Sequence, residues 1–196
     1  MLEWDPGRPA RLAAIVCHPH PRYGGTMHNK VVFRAAKAAV DVAAPTLRFN
    51  FRGVGLSQGK FEDGVGERDD ARAALDYLAN RFPTLPLCMM GFSFGSVVGL
   101  AVGAEDDRVK CLVGMGLPVK SSDFSFLRGV RKPKLIVQGT QDEFGPLPEL
   151  EEVYSLLAEP KQLHLVKDTD HFFAGKLPEL QSTIQKFLRE ILDGTK

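Results

Sequence analysis

Apolar residues along the chain fall into two kinds of stretch. Short, largely apolar runs occupy residues 12–17, 45–50, 85–90, 109–114, 134–138 and 162–166. Longer stretches, with apolar positions three or four residues apart, occupy 29–42, 66–82, 96–104, 146–158 and 177–193. The first kind fits strands buried on both faces, and the second fits helices. Their alternation predicts an α/β fold, a three-layer α/β/α sandwich around a mostly parallel sheet of about six to seven strands. Residues 2–4 could add an edge strand, with Pro6 and Pro9 counting against it. No repeat or linker divides the chain, so residues 1–196 read as a single domain.

Composition narrows the function classes. Charged residues make up 25% of the chain and the net charge is +1, with no Lys/Arg block, which argues against a nucleic-acid surface. The first apolar run is too short for a secretion signal, and no run approaches a membrane span. Cys17, Cys88 and Cys111 lie singly in apolar runs without CxxC spacing. They read as small buried hydrophobes in a reducing compartment, which makes the expected location cytoplasmic.

The strand at 85–90 leads into Gly91-Phe92-Ser93-Phe94-Gly95, and a helix follows. Chance alone would flank one of the eight serines with two such glycines with a probability of roughly 0.08, so the spacing by itself is weak. The strand-before, helix-after setting is the stronger signal, because a nucleophile elbow needs it. A strand reversing sharply into a helix brings backbone against backbone two residues either side of the serine, where glycine fits. The alternative is a tight turn that merely contains Ser93.

A serine hydroxyl needs a base. Of the five histidines, His171 follows the last strand on the edge where the elbow must lie, whereas His164 sits mid-strand and reads as a satisfied core or sheet-face residue. Asp142 stands just past the strand at 134–138, placed to orient the imidazole, with Glu143 and Asp168 as substitutes; its bland role is a turn or helix cap. The chain order Ser93, Asp142, His171 is the α/β-hydrolase order. Because the imidazole must be neutral to act, the rate is expected to fall on acidification.

An oxyanion site needs two amides. The Phe94 N–H follows the nucleophile, and in His18-Pro19-His20-Pro21 only His20 has a backbone N–H between the two prolines. The His18 and His20 side chains could instead hold a metal, although no ligand-spaced partner lies nearby; the expectation is no metal and no cofactor. Gly24 and Gly25 would let this loop pass close to the acyl site as substrate-binding positions. Phe92, Phe94, Phe124, Phe126, Phe144, Phe172 and Phe173 are available for an apolar rim.

Five motifs, HPHPRYGG (18–25), RFNFRGVGLSQG (48–59), GFSFG (91–95), GTQDE (139–143) and DHFF (170–173), run through nearly the whole chain. Together they resemble the α/β-hydrolase superfamily, and most closely its small bacterial serine hydrolases related to dienelactone hydrolase. The resemblance implies a catalytic triad of Ser93, Asp142 and His171, oxyanion amides at Phe94 and His20, and a structural role for Arg52-Gly53-Val54-Gly55. Dienelactone hydrolases proper carry a cysteine at the elbow, so their substrate is not inherited. Between residues 115 and 133 there is room for a short helix within 123–130 and for no substantial lid. The expected activity is hydrolysis of short-chain acyl esters, small molecules, without nucleic acid or membrane as partner. A thioesterase, lactonase or amidase on the same triad, or a non-catalytic scaffold, are the alternatives. Oligomeric state is not legible.

Overall fold

The computed structural model describes residues 1–194. Seven strands form one sheet in the order β1-β3-β2-β4-β5-β6-β7. They are β1 (Leu2–Glu3), β2 (Ala13–Cys17), β3 (Thr46–Arg48), β4 (Leu87–Phe92), β5 (Val109–Met115), β6 (Lys134–Gly139) and β7 (Lys161–Val166). Only the β1–β3 pairing is antiparallel. The helices are α1 (Lys30–Asp41), α2 (Val65–Arg81), α3 (Phe94–Glu105), α4 (Leu147–Ser155) and α5 (Leu177–Gly194).

Side chains alternate across each strand, so every central strand feeds two cores. In β4, Cys88, Met90 and Phe92 pack toward α1 and α5, while Leu87 and Met89 pack toward α2 and α3. Helix α1 contributes Val31, Val32, Ala35 and Ala39 to the first core, and its small alanines let the helix lie close to the sheet. Helix α5 adds Leu180, Ile184, Phe187 and Leu188, an i, i+3/i+4 stripe. The three cysteines are free and buried in these layers. This is the three-layer sandwich expected from the sequence.

Element ends differ from the sequence reading where side chains intervene. The strand expected over 45–50 narrows to Thr46–Arg48. Beyond it, Asn50 leaves the ladder and its Oδ1 accepts from the Met27 N–H at 2.8 Å, bracing two loops. The terminal pair Leu2–Glu3 does join the edge, held by an Arg48–Glu3 ion pair at 2.5 Å. Helix α4 stops at Ser155, short of residue 158, because the Lys161 ammonium occupies the carbonyls of Tyr154, Ser155 and Leu157 at its end. Strand β4 runs past residue 90 to Phe92, and α3 begins earlier than expected, at Phe94. Where a short helix was expected within 123–130, only one 3-10 turn forms, Ser125–Leu127. It turns Phe124 and Leu127 into the core, so the described residues form no lid.

Because β2 to β7 run parallel, the loops that follow them gather at one edge of the sheet. Among the described residues no helix is long and apolar enough to cross a membrane.

Candidate active site

Ser93 is the single residue between the end of β4 and the start of α3, at φ 54° and ψ −123°. A serine rarely adopts this backbone conformation, which costs on the order of 1–3 kcal/mol unless its surroundings impose it. Here they do. The Ser93 N–H donates to Met115 O at 3.0 Å. The Ser93 carbonyl accepts from both the N–H and the hydroxyl of Ser96, at 2.8 and 2.6 Å. A Cβ on Gly91 would fall 2.1 Å from Gly95 O, and one on Gly95 would fall 2.4 Å from Cys17 O and 2.5 Å from His18 O. Both glycines are therefore sites where backbone touches backbone, the packing an elbow requires. The Phe94 N–H, in the first turn of α3, has no acceptor within the helix and points with the helix N-terminus.

Asp142 and His171 are brought together. The Asp142 Oδ2 accepts from His171 Nδ1 at 2.8 Å, and both residues are buried. The rest of the carboxylate is fully engaged: Oδ1 accepts from the amides of Phe144 and Gly145 at 2.9 and 3.1 Å, and Oδ2 also accepts from Gln138 Nε2 at 2.9 Å. Gln138, at the end of β6, was not singled out from the sequence. Its Nε2 also donates to Gly145 O at 3.0 Å, and its Oε1 accepts from the Leu117 N–H at 2.8 Å. The signal was there: an amide side chain at a buried position in an otherwise apolar strand needs partners. Glu143 and Asp168, the substitutes for Asp142, are exposed. His164 pairs with Glu179 on α5 at 3.0 Å, as a sheet-face residue would.

Ser93 and His171 line the same cavity, of about 600 Å³, together with His20, Gly24 and Gly25. The Ser93 hydroxyl does not hydrogen-bond to the imidazole in this structure; in unliganded enzymes that contact is often long and tightens around substrate. The imidazole ring is boxed by Phe92, Phe144 and Phe172, with centroid separations of 5.0, 4.7 and 5.2 Å.

The loop after β2 is built around its two histidines. His18 is buried, with Nδ1 on Pro19 O at 2.6 Å and Nε2 accepting from the Phe51 N–H at 3.0 Å. Burial pushes its pKa down to about 4, partly opposed by the Pro19 carbonyl, so the ring is held neutral. With both nitrogens occupied it ties two loops together and has no lone pair for a metal. The His20 Nδ1 accepts from the Arg22 N–H at 3.1 Å, capping a short 3-10 turn at Pro21–Tyr23. Burial, then the Arg22 charge, lowers the His20 pKa. Among the described residues no cluster of three His, Cys, Asp or Glu side chains is arranged to hold a metal ion. Gly25 is another close approach: a Cβ there would lie 2.1 Å from Pro19 O. Arg52 grips Asp70 and Glu62 and fastens the loop after β3 to α2, away from the cavity.

The apolar rim is smaller than the sequence suggested. Phe94, Phe144 and Phe172 line the cavity. Phe92 and Phe173 are wholly buried in the core against α1 and α5, while Phe124 is buried in the opposite core with Phe126 packed on it, where the 3-10 turn meets α3. Tyr23, Pro118, Ser121 and Ser122 complete the wall instead.

A mostly parallel sheet with a strained serine turn at the C-terminal end of its central strand, sharing a cavity with a histidine held by a buried carboxylate, is the arrangement of the α/β-hydrolase class. Residues 23–194 match the family described as "Alpha/beta hydrolase domain", and the chain belongs to that family. The uncharacterized protein RP471 of Rickettsia prowazekii is 38% identical over 185 residues, covering 89% of this chain and 77% of that protein. An alpha-beta serine hydrolase homologue from Coxiella burnetii superposes with a TM-score of 0.89 at 38% identity, over 95% of this chain and 89% of that one. XC6422 from Xanthomonas campestris, described as an a/b serine hydrolase without lid, gives a TM-score of 0.88 at 36% identity, over 96% and 87%.

Proposed function

We propose that the chain is a carboxylesterase that hydrolyses short-chain acyl esters through Ser93, His171 and Asp142. The observation that carries this reading is the buried 2.8 Å contact from His171 Nδ1 to Asp142 on the wall of the cavity that Ser93 lines. With Nδ1–H committed to the carboxylate, Nε2 is the free basic nitrogen. As Ser93 Oγ attacks the ester carbonyl, its proton passes to Nε2 and the carbonyl oxygen takes the negative charge. The Phe94 and His20 amides stabilise that oxyanion. Collapse breaks the C–O bond, and the proton on Nε2 leaves with the alcohol. Water then attacks the acyl-enzyme, giving its proton to Nε2, and the acid departs as Ser93 recovers a proton. The rings of Phe92, Phe144 and Phe172 shield the imidazole from water, so the Asp142 carboxylate acts at short range in a low-dielectric setting.

The test is Ser93→Ala assayed with p-nitrophenyl acetate, beside fluorophosphonate labelling of the unaltered protein. Turnover is expected to vanish in a variant whose circular dichroism is unchanged, and the label is expected on Ser93. Turnover that survives the substitution would refute the assignment. A panel of esters, lactones, thioesters and amides against the same control assigns the acyl chemistry.

A further inference from the structure

Ser93 is flanked by two phenylalanines, and each anchors a separate group of rings. Phe94 packs against His20 and Phe61 at centroid separations of 4.9 and 5.7 Å, and His20 carries Tyr23 at 4.7 Å. On the other side, Phe92 holds His171 at 5.0 Å, and that ring carries Phe144 at 4.7 Å. Among the described residues no ring pair bridges the two groups, and both border the cavity that Ser93 opens into. The cavity beside Ser93 thus takes an aromatic wall from each group.

The chemistry of the lining is one-sided. It contains no Asp, Glu, Lys or Arg, and its polar side chains are hydroxyls, one amide and the two imidazoles. Two cations stand outside that lining, Arg22 over the Phe61 ring at 5.9 Å and Lys30 over the Phe172 ring at 5.9 Å. Tyr23, Phe144 and Phe172 are 86%, 44% and 43% exposed, so these faces await a partner instead of serving the core.

Resting on the proposed esterase chemistry, we infer that the preferred substrates are uncharged esters bearing an aromatic ring that lies between these walls, and that esters charged near the carbonyl are rejected. A flat ring gains contacts with aromatic walls beyond its buried area, whereas an ionised group entering the slot would lose water and find no counter-charge among the lining side chains. The bonds made and broken are those of ordinary ester hydrolysis.

Matched pairs test the inference through kcat/KM. Benzyl acetate against cyclohexylmethyl acetate places the ring on the alcohol side; methyl 3-phenylpropanoate against methyl 3-cyclohexylpropanoate places it on the acyl side. The aromatic member is expected to win at least one pair by about twofold to tenfold. That ratio is expected to drop toward one in Phe144→Leu or Tyr23→Leu, which keep an apolar side chain. Monomethyl succinate at pH 8 is expected to react at least about tenfold more slowly than dimethyl succinate. Ratios of one or less in both pairs, an aromatic preference that survives both substitutions, or an anion within tenfold of its neutral diester would each overturn the inference. Any of these, obtained alongside turnover and a labelled Ser93, leaves the esterase reading standing. No turnover of any ester together with an unlabelled Ser93 removes that reading first and this one with it.

Discussion

Gln138 spends its hydrogen-bonding capacity on the loops that hold Asp142: one side-chain hydrogen goes to the carboxylate, another to Gly145 O, and its oxygen takes the Leu117 amide. It neither hydrogen-bonds to His171 nor lines the cavity, so in the proposed mechanism it acts through Asp142 as a positioning residue. Gln138→Leu is expected to lower kcat for p-nitrophenyl acetate by roughly 10- to 100-fold with KM nearly unchanged. It should also cost about 2–4 kcal/mol in a urea titration, since several buried polar groups lose partners. His18 gives a prediction in pH. Folding holds its pKa at about 4, against about 6.5 in an unfolded chain. Between those values the unfolded chain takes up a proton that the folded one refuses, so stability from this group is full above pH 6.5 and falls as pH drops. The loss is about 1.4 kcal/mol per pH unit, about 3 kcal/mol by pH 4, with no further contribution below. Urea titrations of the wild type and His18→Asn should show the variant less stable at pH 7 and its stability less sensitive to acid by that amount. Equal slopes would mean the His18 ring is not kept neutral.

The elements themselves were largely written in the hydrophobic period, because strands feeding two cores must be apolar throughout and helices resting on them must carry a stripe. What the period could not supply was where each element ends, since ends are decided by side chains from elsewhere: Lys161 closing α4 from the next strand, or Asn50 pulling the chain off β3 to meet Met27. The elbow was legible because its demands are local; Gly91, Ser93 and Gly95 must all sit within five residues. Gln138 and the exact rim were not, since both depend on how loops distant in sequence stack. The strain at the elbow is also an element-scale property, set by β4 running directly into α3. Ser93→Gly is expected to raise stability by about 1 kcal/mol, the relieved strain outweighing the extra freedom glycine has when unfolded. Ser93→Ala, still bearing a Cβ at φ 54°, is expected to be close to neutral. Chemical denaturation of the two variants measures the difference, and identical midpoints would show that the turn stores no strain.

At the scale of the whole molecule, the segment that could have covered the site folds onto α3, leaving a cavity of about 600 Å³ open at the loop edge. An acyl chain longer than the slot gains no further wall to lie on. Catalytic efficiency toward p-nitrophenyl esters is therefore expected to peak at short acyl chains and fall steadily beyond them, with no jump when the ester forms micelles. Activity that climbs on long chains at an interface would mean that some part of the molecule rearranges to make a cover. The contacts that place the chemistry are of another kind from those that form the walls. Gly95 seats the elbow against the main chain of the His20 loop, and Gly139, whose Cβ would fall 2.5 Å from Asp170 O, seats the carboxylate loop against the histidine loop. Backbone pressed on backbone carries no message about what the slot admits. The side chain at Tyr23, which packs on His20 and not on the His171 ring, is thus free to be exchanged in a search for new reactants while the proposed proton path stays in register.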